Sequence, residues 1–402
     1  MKKKIGFFAL LALAVSLTAC TPAASAPESE AAVTTTAEAA PAAEPAENAV
    51  AGTLRNLGAK DPADGYYQLD TIQQPDKTYH GILRKVDFAT ARMTQLCDVG
   101  NIEQLGTYFA WGENLCYETW PSPSEAEFHI YTPADGSERI ISLESDLSPS
   151  FADDQYVYLN RYADPFLSLE RMDLNTGDIQ PIKTPDLIST IYDTDGQRLL
   201  VARLISEIPL ESLWDEEEQY EAAMQNATVQ YAWWDLATGA LETVLEEPFH
   251  GEKDENGNEI TRIYLGHNGD SLFFYRGVIT GQSSTQNRVE RCALDGSGNE
   301  EVPFDLPADF GVPGTVNCGG EIRWLVITGE EGILVYDAAT GQSQEVSGGA
   351  EAPWPLLLTE DGQVLVSLME KEEKSDVCYR LIPEGDYLAG NFTGTDVVPA
   401  EE

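Results

Sequence analysis

Four histidines, His80, His129, His250 and His267, are the residues best suited to acid–base or metal chemistry near neutral pH, and each stands alone. None has the Cys or His neighbour at short spacing that a zinc site needs. His129 sits in a strand-like run beside Phe128 and Ile130, and His267 opens a turn, so structural or solvated roles suit them better than catalysis. Asp254-Glu255-Asn256-Gly257-Asn258-Glu259 alternates oxygen donors as a calcium loop does. Its Gly is fourth, whereas an EF-type loop places it sixth, so a polar turn is expected and no metal. Asp193-Thr194-Asp195-Gly196 reads as a turn by the same reasoning. The chain holds no G-x-S-x-G elbow, H-E-x-x-H pair, phosphate loop or dinucleotide fingerprint. Its 68 Asp and Glu offer too many carboxylate pairs to single out one for glycoside hydrolysis. No catalytic residue and no cofactor is expected.

The elements that must position any site begin at the N-terminus. Lys2, Lys3 and Lys4 precede an apolar run from Ile5 to Leu17, the layout of a secretory signal and too short to span a bilayer. The run ends Leu17-Thr18-Ala19-Cys20, which resembles the lipobox of bacterial lipoproteins. That resemblance implies cleavage after residue 19, lipidation of Cys20, and a place on the extracytoplasmic side of a membrane. An ordinary cleaved signal with an incidental Cys20 is the alternative. Residues 20–51 are nearly all Ala, Pro, Thr, Ser and Glu, a composition that buries too little apolar surface to offset its ordering entropy. They are expected to form an extended tether.

From residue 52 to 402 the chain repeats itself. An apolar alternating run, an Asp, and a Gly-containing turn recur as Leu169 to Gly177, Trp233 to Gly239 and Leu334 to Gly341, with weaker copies around Asp87, Asp135 and Asp295 and a degenerate seventh at Pro383-Glu384-Gly385. A second series of seven turns interleaves with them: Asp64-Gly65, Gly112-Glu113-Asn114, Asp153-Asp154, Asp195-Gly196, Asn268-Gly269-Asp270, Gly319-Gly320 and Asp361-Gly362. Gly accepts positive φ, and Asp, Asn and Thr bond their own backbone, so both series mark tight turns. About 50 residues per unit matches a four-stranded propeller blade, and Tyr, Val, Ile, Leu and Trp dominate the runs.

The D-x-x-T-G and D-G turns resemble those of Tol-type periplasmic propellers and quinoprotein-like repeat proteins. The implied fold is all-β: a β-propeller of seven blades, each a four-stranded antiparallel sheet. A pair of β-sandwiches or a β-helix is the alternative. Quinoprotein repeats place a docking Trp just after the T-G turn, but here those stretches read Ala240-Leu241-Glu242-Thr243 and Gln342-Ser343-Gln344-Glu345, which argues against a quinone cofactor.

One insertion, residues 209–226, has helical composition, with Leu210, Leu213, Trp214, Tyr220, Ala223 and Met224 at helical spacing. It is expected to lie across one propeller face, as a lid or as a helix that buries its stripe on the fourth blade. After lipidation Cys97, Cys116, Cys292, Cys318 and Cys378 remain, with pairing open: Cys97 with Cys116 is one option, buried single thiols another.

A formal charge of −44 excludes nucleic acid as a partner and permits cationic ones. Aromatic residues on the face that carries the second-to-third strand loops and the blade connections are the binding candidates: Trp120, Tyr162, Phe166, Trp214, Phe249 and His250. Trp111, Trp233, Trp234, Trp324 and Trp354 lie in strand-like runs and are expected in the core. Two functions remain open. One is a monomeric, membrane-anchored, noncatalytic binding or scaffold module for a protein or glycan; the other is an extracytoplasmic enzyme on glycans or peptides.

Overall fold

A computed structural model describes residues 49–57, 65–75, 77–163, 166–208, 210–213, 217–249, 251–280, 283–306, 312–328, 332–347, 352–368 and 378–400. The expected signal peptide, Cys20 and most of the tether lie outside them. Among the described residues the chain folds into seven successive antiparallel meanders spanning 66–101, 105–144, 147–181, 188–248, 259–301, 314–347 and 354–396. The last two share one eight-stranded sheet, joined by a single parallel bridge between Asn317 and Leu357 on their first strands. The first strands of these two meanders therefore lie side by side.

The turns form as their composition requires. In the third, fourth and sixth meanders Asp173, Asp235 and Asp337 each accept the backbone N–H of the residue three places on. The N–H of Gly177, Gly239 and Gly341 then closes each loop onto the Asp carbonyl, at φ of 84°, 73° and 70°. An L-residue with a Cβ would be strained at those three positions.

Period-two alternation stacks the meanders. Trp233 and Trp234 are 1% and 0% exposed, yet they point into different clusters, Trp233 towards the fifth meander and Trp234 towards the third. Among the described residues a hydrophobic cluster separates each neighbouring pair of meanders. A last one, with Tyr66 and Val86 against Leu365 and Leu381, packs the first meander on the seventh. The stack therefore closes on itself as a β-propeller ring rather than running open as a solenoid.

Both chain ends fasten the ring. Val398–Pro399 adds in parallel to the outer strand Arg92–Asn101 of the first meander, so the C-terminus bridges the seventh meander to the first. At the other end, Arg55–Asn56 pairs antiparallel with Ala152 and Phe151 on the free inner edge of the third meander. Leu54 and Leu57 are buried there, and Val50 packs against the same core.

Alternation also separates two cysteines. Cys116 faces the cluster between the second and third meanders and Cys97 the cluster between the first and second, so a Cys97–Cys116 disulfide is ruled out. Burial pushes both thiols up to about 12, which keeps them protonated and unreactive. One assignment to the core also fails: Trp354 starts the inner strand of the seventh meander with 38% of its surface exposed.

Candidate functional site

The ring has two unlike ends. One carries the first-to-second and third-to-fourth strand turns and is called the turn face; the other carries the second-to-third strand loops and the links between meanders and is called the connection face.

On the channel wall near the turn face, inner strands Ile188–Thr194 and Glu259–Asn268 bring Asp193 and His267 together. Asp193 Oδ2 lies 3.0 Å from His267 Nδ1 and accepts the Tyr264 hydroxyl at 2.6 Å. Burial pulls the His267 pKa down. The hydrogen bond and charge of Asp193, helped by Glu321 and Asp195, outweigh that effect, and the net shift is upward. The ring is thus held as a donor to Asp193. Beside it a cavity of about 290 Å³ opens among Asn268, Cys318, Glu321, Arg323, Glu360 and Glu384. The Arg323 guanidinium is engaged by Asp337 and Glu384, at 3.1 and 3.0 Å.

A second cluster lies between the fourth and fifth meanders. Arg262 donates to Glu247 and to Glu290, each at 2.8 Å, with all three residues at most 5% exposed. Burial drives Glu247 up to about 8 against the pull of Arg262 and Arg276. Glu290, bonded also by Arg288 and Arg276, moves down despite its burial. Arg262 thus neutralises one committed carboxylate and shares a second that holds its proton.

His129 is the third. Its Nε2 is 2.8 Å from Thr119 Oγ1 and its Nδ1 3.1 Å from Glu138 Oε1, an order that resembles hydroxyl, base and acid. The imidazole is stacked on Tyr117 at 4.6 Å and the residue is 8% exposed, so it acts as a satisfied core histidine. His80 pairs with Asp98 at 2.6 Å. These three histidines are bound to carboxylates that the sequence could not assign, since the Asp193–His267 pair joins different meanders. His250 lies outside the described residues.

The predicted aromatic set divides. Trp120 is half-buried against the cluster between the second and third meanders. Nearby Glu118 is pushed up by burial, opposed by hydrogen bonds from Thr107 and Trp120. Phe166 packs partly buried on the cluster between the fourth and fifth meanders, and Phe249 is 4% exposed inside it. Phe249 is therefore core and offers no contact surface. The Tyr162 side chain and Trp214 lie outside the described residues. The insertion forms a 3₁₀ turn, Leu210–Leu213, and helix α1, Glu217–Gln225, with Leu210, Leu213, Ala223 and Met224 buried on the fourth and fifth meanders.

The Asp254 loop is a turn: Asp254 Oδ1 accepts the Asn256 and Asn258 amides at 2.9 and 2.8 Å. Among the described residues no group of three or more His, Cys, Asp or Glu is disposed to hold a metal ion, and no helix is long and apolar enough to cross a membrane.

No family model and no curated protein matches the chain. Solved structures do. The β-propeller domain of the Trilobed protease from Pyrococcus furiosus is similar over 83% of this chain and 99% of that one, at 11% identity and a TM-score of 0.50. An oligogalacturonate lyase in complex with manganese is similar over 84% and 86%, at 15% identity and 0.47. TolB from Acinetobacter baumannii is similar over 83% and 81%, at 12% identity and 0.36. These neighbours include enzymes as well as TolB, and what they share with this chain is architecture: residues 66–399 are a β-propeller.

Proposed function

We propose that this chain is a membrane-anchored, extracytoplasmic propeller that binds a protein or glycan partner without chemistry of its own. The observation that carries the reading is the seat of the N-terminal segment. Ala51 donates to Asp153 and Leu54 to the Gly196 carbonyl, both on first-to-second strand turns, so the chain enters the ring through the turn face. A tether fixed to lipid at Cys20 would reach the propeller on that side and leave the connection face turned away from the membrane. The residues whose types suit chemistry support the same reading. His267, His129 and Arg262 hold neighbouring strands and meanders together through carboxylates already engaged.

The test is fractionation of cells expressing the full chain or Cys20→Ser. The native chain should sediment with membranes and be accessible to external protease in cells stripped of any outer layer, and Cys20→Ser should be released soluble. Equal distribution of the two would overturn the anchor. Turnover of a glycan or peptide that is lost in His267→Gln would overturn the noncatalytic part.

A further inference from the structure

We infer that the flank of the ring between the fifth and sixth meanders holds a site for one neutral sugar unit of a glycan, built around Tyr336 and the Arg291–Glu300 pair. This rests on the binding reading above and gives its partner a chemistry.

Five tyrosines among the described residues are at most 1% exposed: Tyr158, Tyr231, Tyr275, Tyr336 and Tyr387. Four of their hydroxyls are bonded inside the protein. Tyr158 donates to Asp153, Tyr275 to Asn287 and Tyr387 to the Pro353 carbonyl, and Tyr231 pairs with Tyr192. The Tyr336 hydroxyl has no partner among the described residues. Its ring is fixed between Phe273 and Phe304, at centroid distances of 6.4 and 5.8 Å, a setting that a phenylalanine would fill as well. A buried hydroxyl without a bond costs desolvation that nothing inside the fold offsets.

That hydroxyl is aimed at an opening. A cavity of about 350 Å³ lies between the outer strand of the fifth meander and the third-to-fourth strand turn of the sixth, with Arg291, Glu300, Glu301, Tyr336 and Gly341 in its wall. A Cβ built on Gly341 would meet one heavy atom beyond its chain neighbours, Tyr336 Oη at 3.9 Å, so the phenol end points to the stretch of wall that Gly341 forms. Burial raises the Tyr336 pKa, Arg291 opposes the shift and Glu300 adds to it, so both charges act on the hydroxyl.

The polar groups suit a sugar. Arg291 Nε and Nη2 lie 2.6 and 2.5 Å from Glu300 Oε1, which leaves Arg291 Nη1 as a donor and Glu300 Oε2 as an acceptor. Ring hydroxyls both give and accept, so neighbouring ones can answer this pair while another bonds Tyr336. Charge favours neither ion: Glu300 faces the Arg291 guanidinium and Glu301 that of Arg288, at 3.9 Å. An anion would meet two glutamates and a cation would meet Arg291. The volume stands at the lower end of the range for small-ligand pockets, about 300–1,000 Å³, which suits one ring.

Calorimetric titration of the full-length protein with glucose, galactose and N-acetylglucosamine tests this, with glucosamine and glucuronate as charged counterparts of the same ring. At least one neutral sugar should bind, with an affinity that holds between about 0.05 and 0.5 M salt. Tyr336→Phe should weaken it about five- to tenfold. Because the hydroxyl bonds nothing in the protein, the same variant should melt at the native temperature or above it. A lowered melting temperature would show that the hydroxyl is bonded inside the fold and overturns the site. Equal affinity for native and Tyr336→Phe protein overturns the site and leaves a glycan-binding module in place. Tighter binding of glucosamine or glucuronate than of any neutral sugar overturns the neutral ligand. Binding of none of the sugars overturns the proposal and leaves the anchor to be judged by its own fractionation.

Discussion

The backbone N–H of Leu54 donates to the carbonyl of Gly196 at 2.9 Å, fixing the N-terminal segment to a turn of the fourth meander. The Leu54 side chain is 2% exposed, and Arg55 and Asn56 extend the third meander inward beside it. What precedes the propeller in sequence is thus partly built into its core. Leu54→Ala should cost about 2–4 kcal/mol in urea unfolding, because a buried leucine leaves a cavity. Substitution of exposed Thr53 should stay within about 0.5 kcal/mol. Equal, small effects at both positions would show that the segment is not seated.

Ring closure depends on the other terminus. Val398 donates to Ala91 and Ala400 to Met93, at 3.2 and 2.9 Å, and Arg380 holds Asp396 at 2.6 Å. Ending the chain after Gly394 removes these ties and uncovers the outer strand of the first meander. The truncated protein should melt at a lower temperature, with hydrogen exchange rising first across 66–101 and 354–383. Uniform acceleration around the ring would mean that closure is carried by the Tyr66–Leu381 core instead.

How much of this was legible in the sequence follows from the range of each interaction. The Asp173, Asp235 and Asp337 turns bond within five residues, so type and spacing revealed them and, through them, the repeat. The helix of the insertion was visible because Leu210, Leu213, Ala223 and Met224 repeat at helical spacing. Asp193 and His267 were both seen, but only as turn residues, since their meeting requires two meanders to pack first. Trp354 was misread for a related reason: its run alternates like a core strand, and only the ring shows that its first residue emerges at the connection end. Phe249 erred in the opposite direction, a connecting-segment aromatic that helix α1 and its neighbours cover.

Arg262 and its two glutamates make stability depend on pH in a stated direction. Burial raises Glu247 to about 8, above its unfolded value of about 4.3, so the folded state holds a proton that the unfolded state has lost. The contribution is present at low pH and lost as pH rises towards about 8. Glu247→Gln, which keeps the shape without the charge, should flatten this part of the urea-stability profile between pH 5 and 9. Arg262→Met should be the harsher change, about 3 kcal/mol, because buried Glu247 would lose the guanidinium it is bonded to and Glu290 would keep only Arg276 and Arg288. A Glu247→Gln profile parallel to the native one would show that Glu247 is ionised throughout.

His267 adds a dependence of the same sign by another route. Its folded pKa is raised above the ordinary value of about 6.5, so the Asp193–imidazolium bond contributes fully below that pH and is lost as pH rises through the raised value. His267→Gln removes the titration, and Asp193→Asn removes the anion that causes the shift while leaving Tyr264 a hydrogen-bond acceptor. NMR titration of the imidazole should therefore give a pKa above about 6.5 in the native chain and a lower one in Asp193→Asn, where burial acts with less opposition. Both variants should lose stability relative to native protein below that pH and converge with it at higher pH. An imidazole that titrates identically in native and Asp193→Asn protein would mean that the 3.0 Å contact carries no charge, and the pair would then act only as a neutral hydrogen bond across two inner strands.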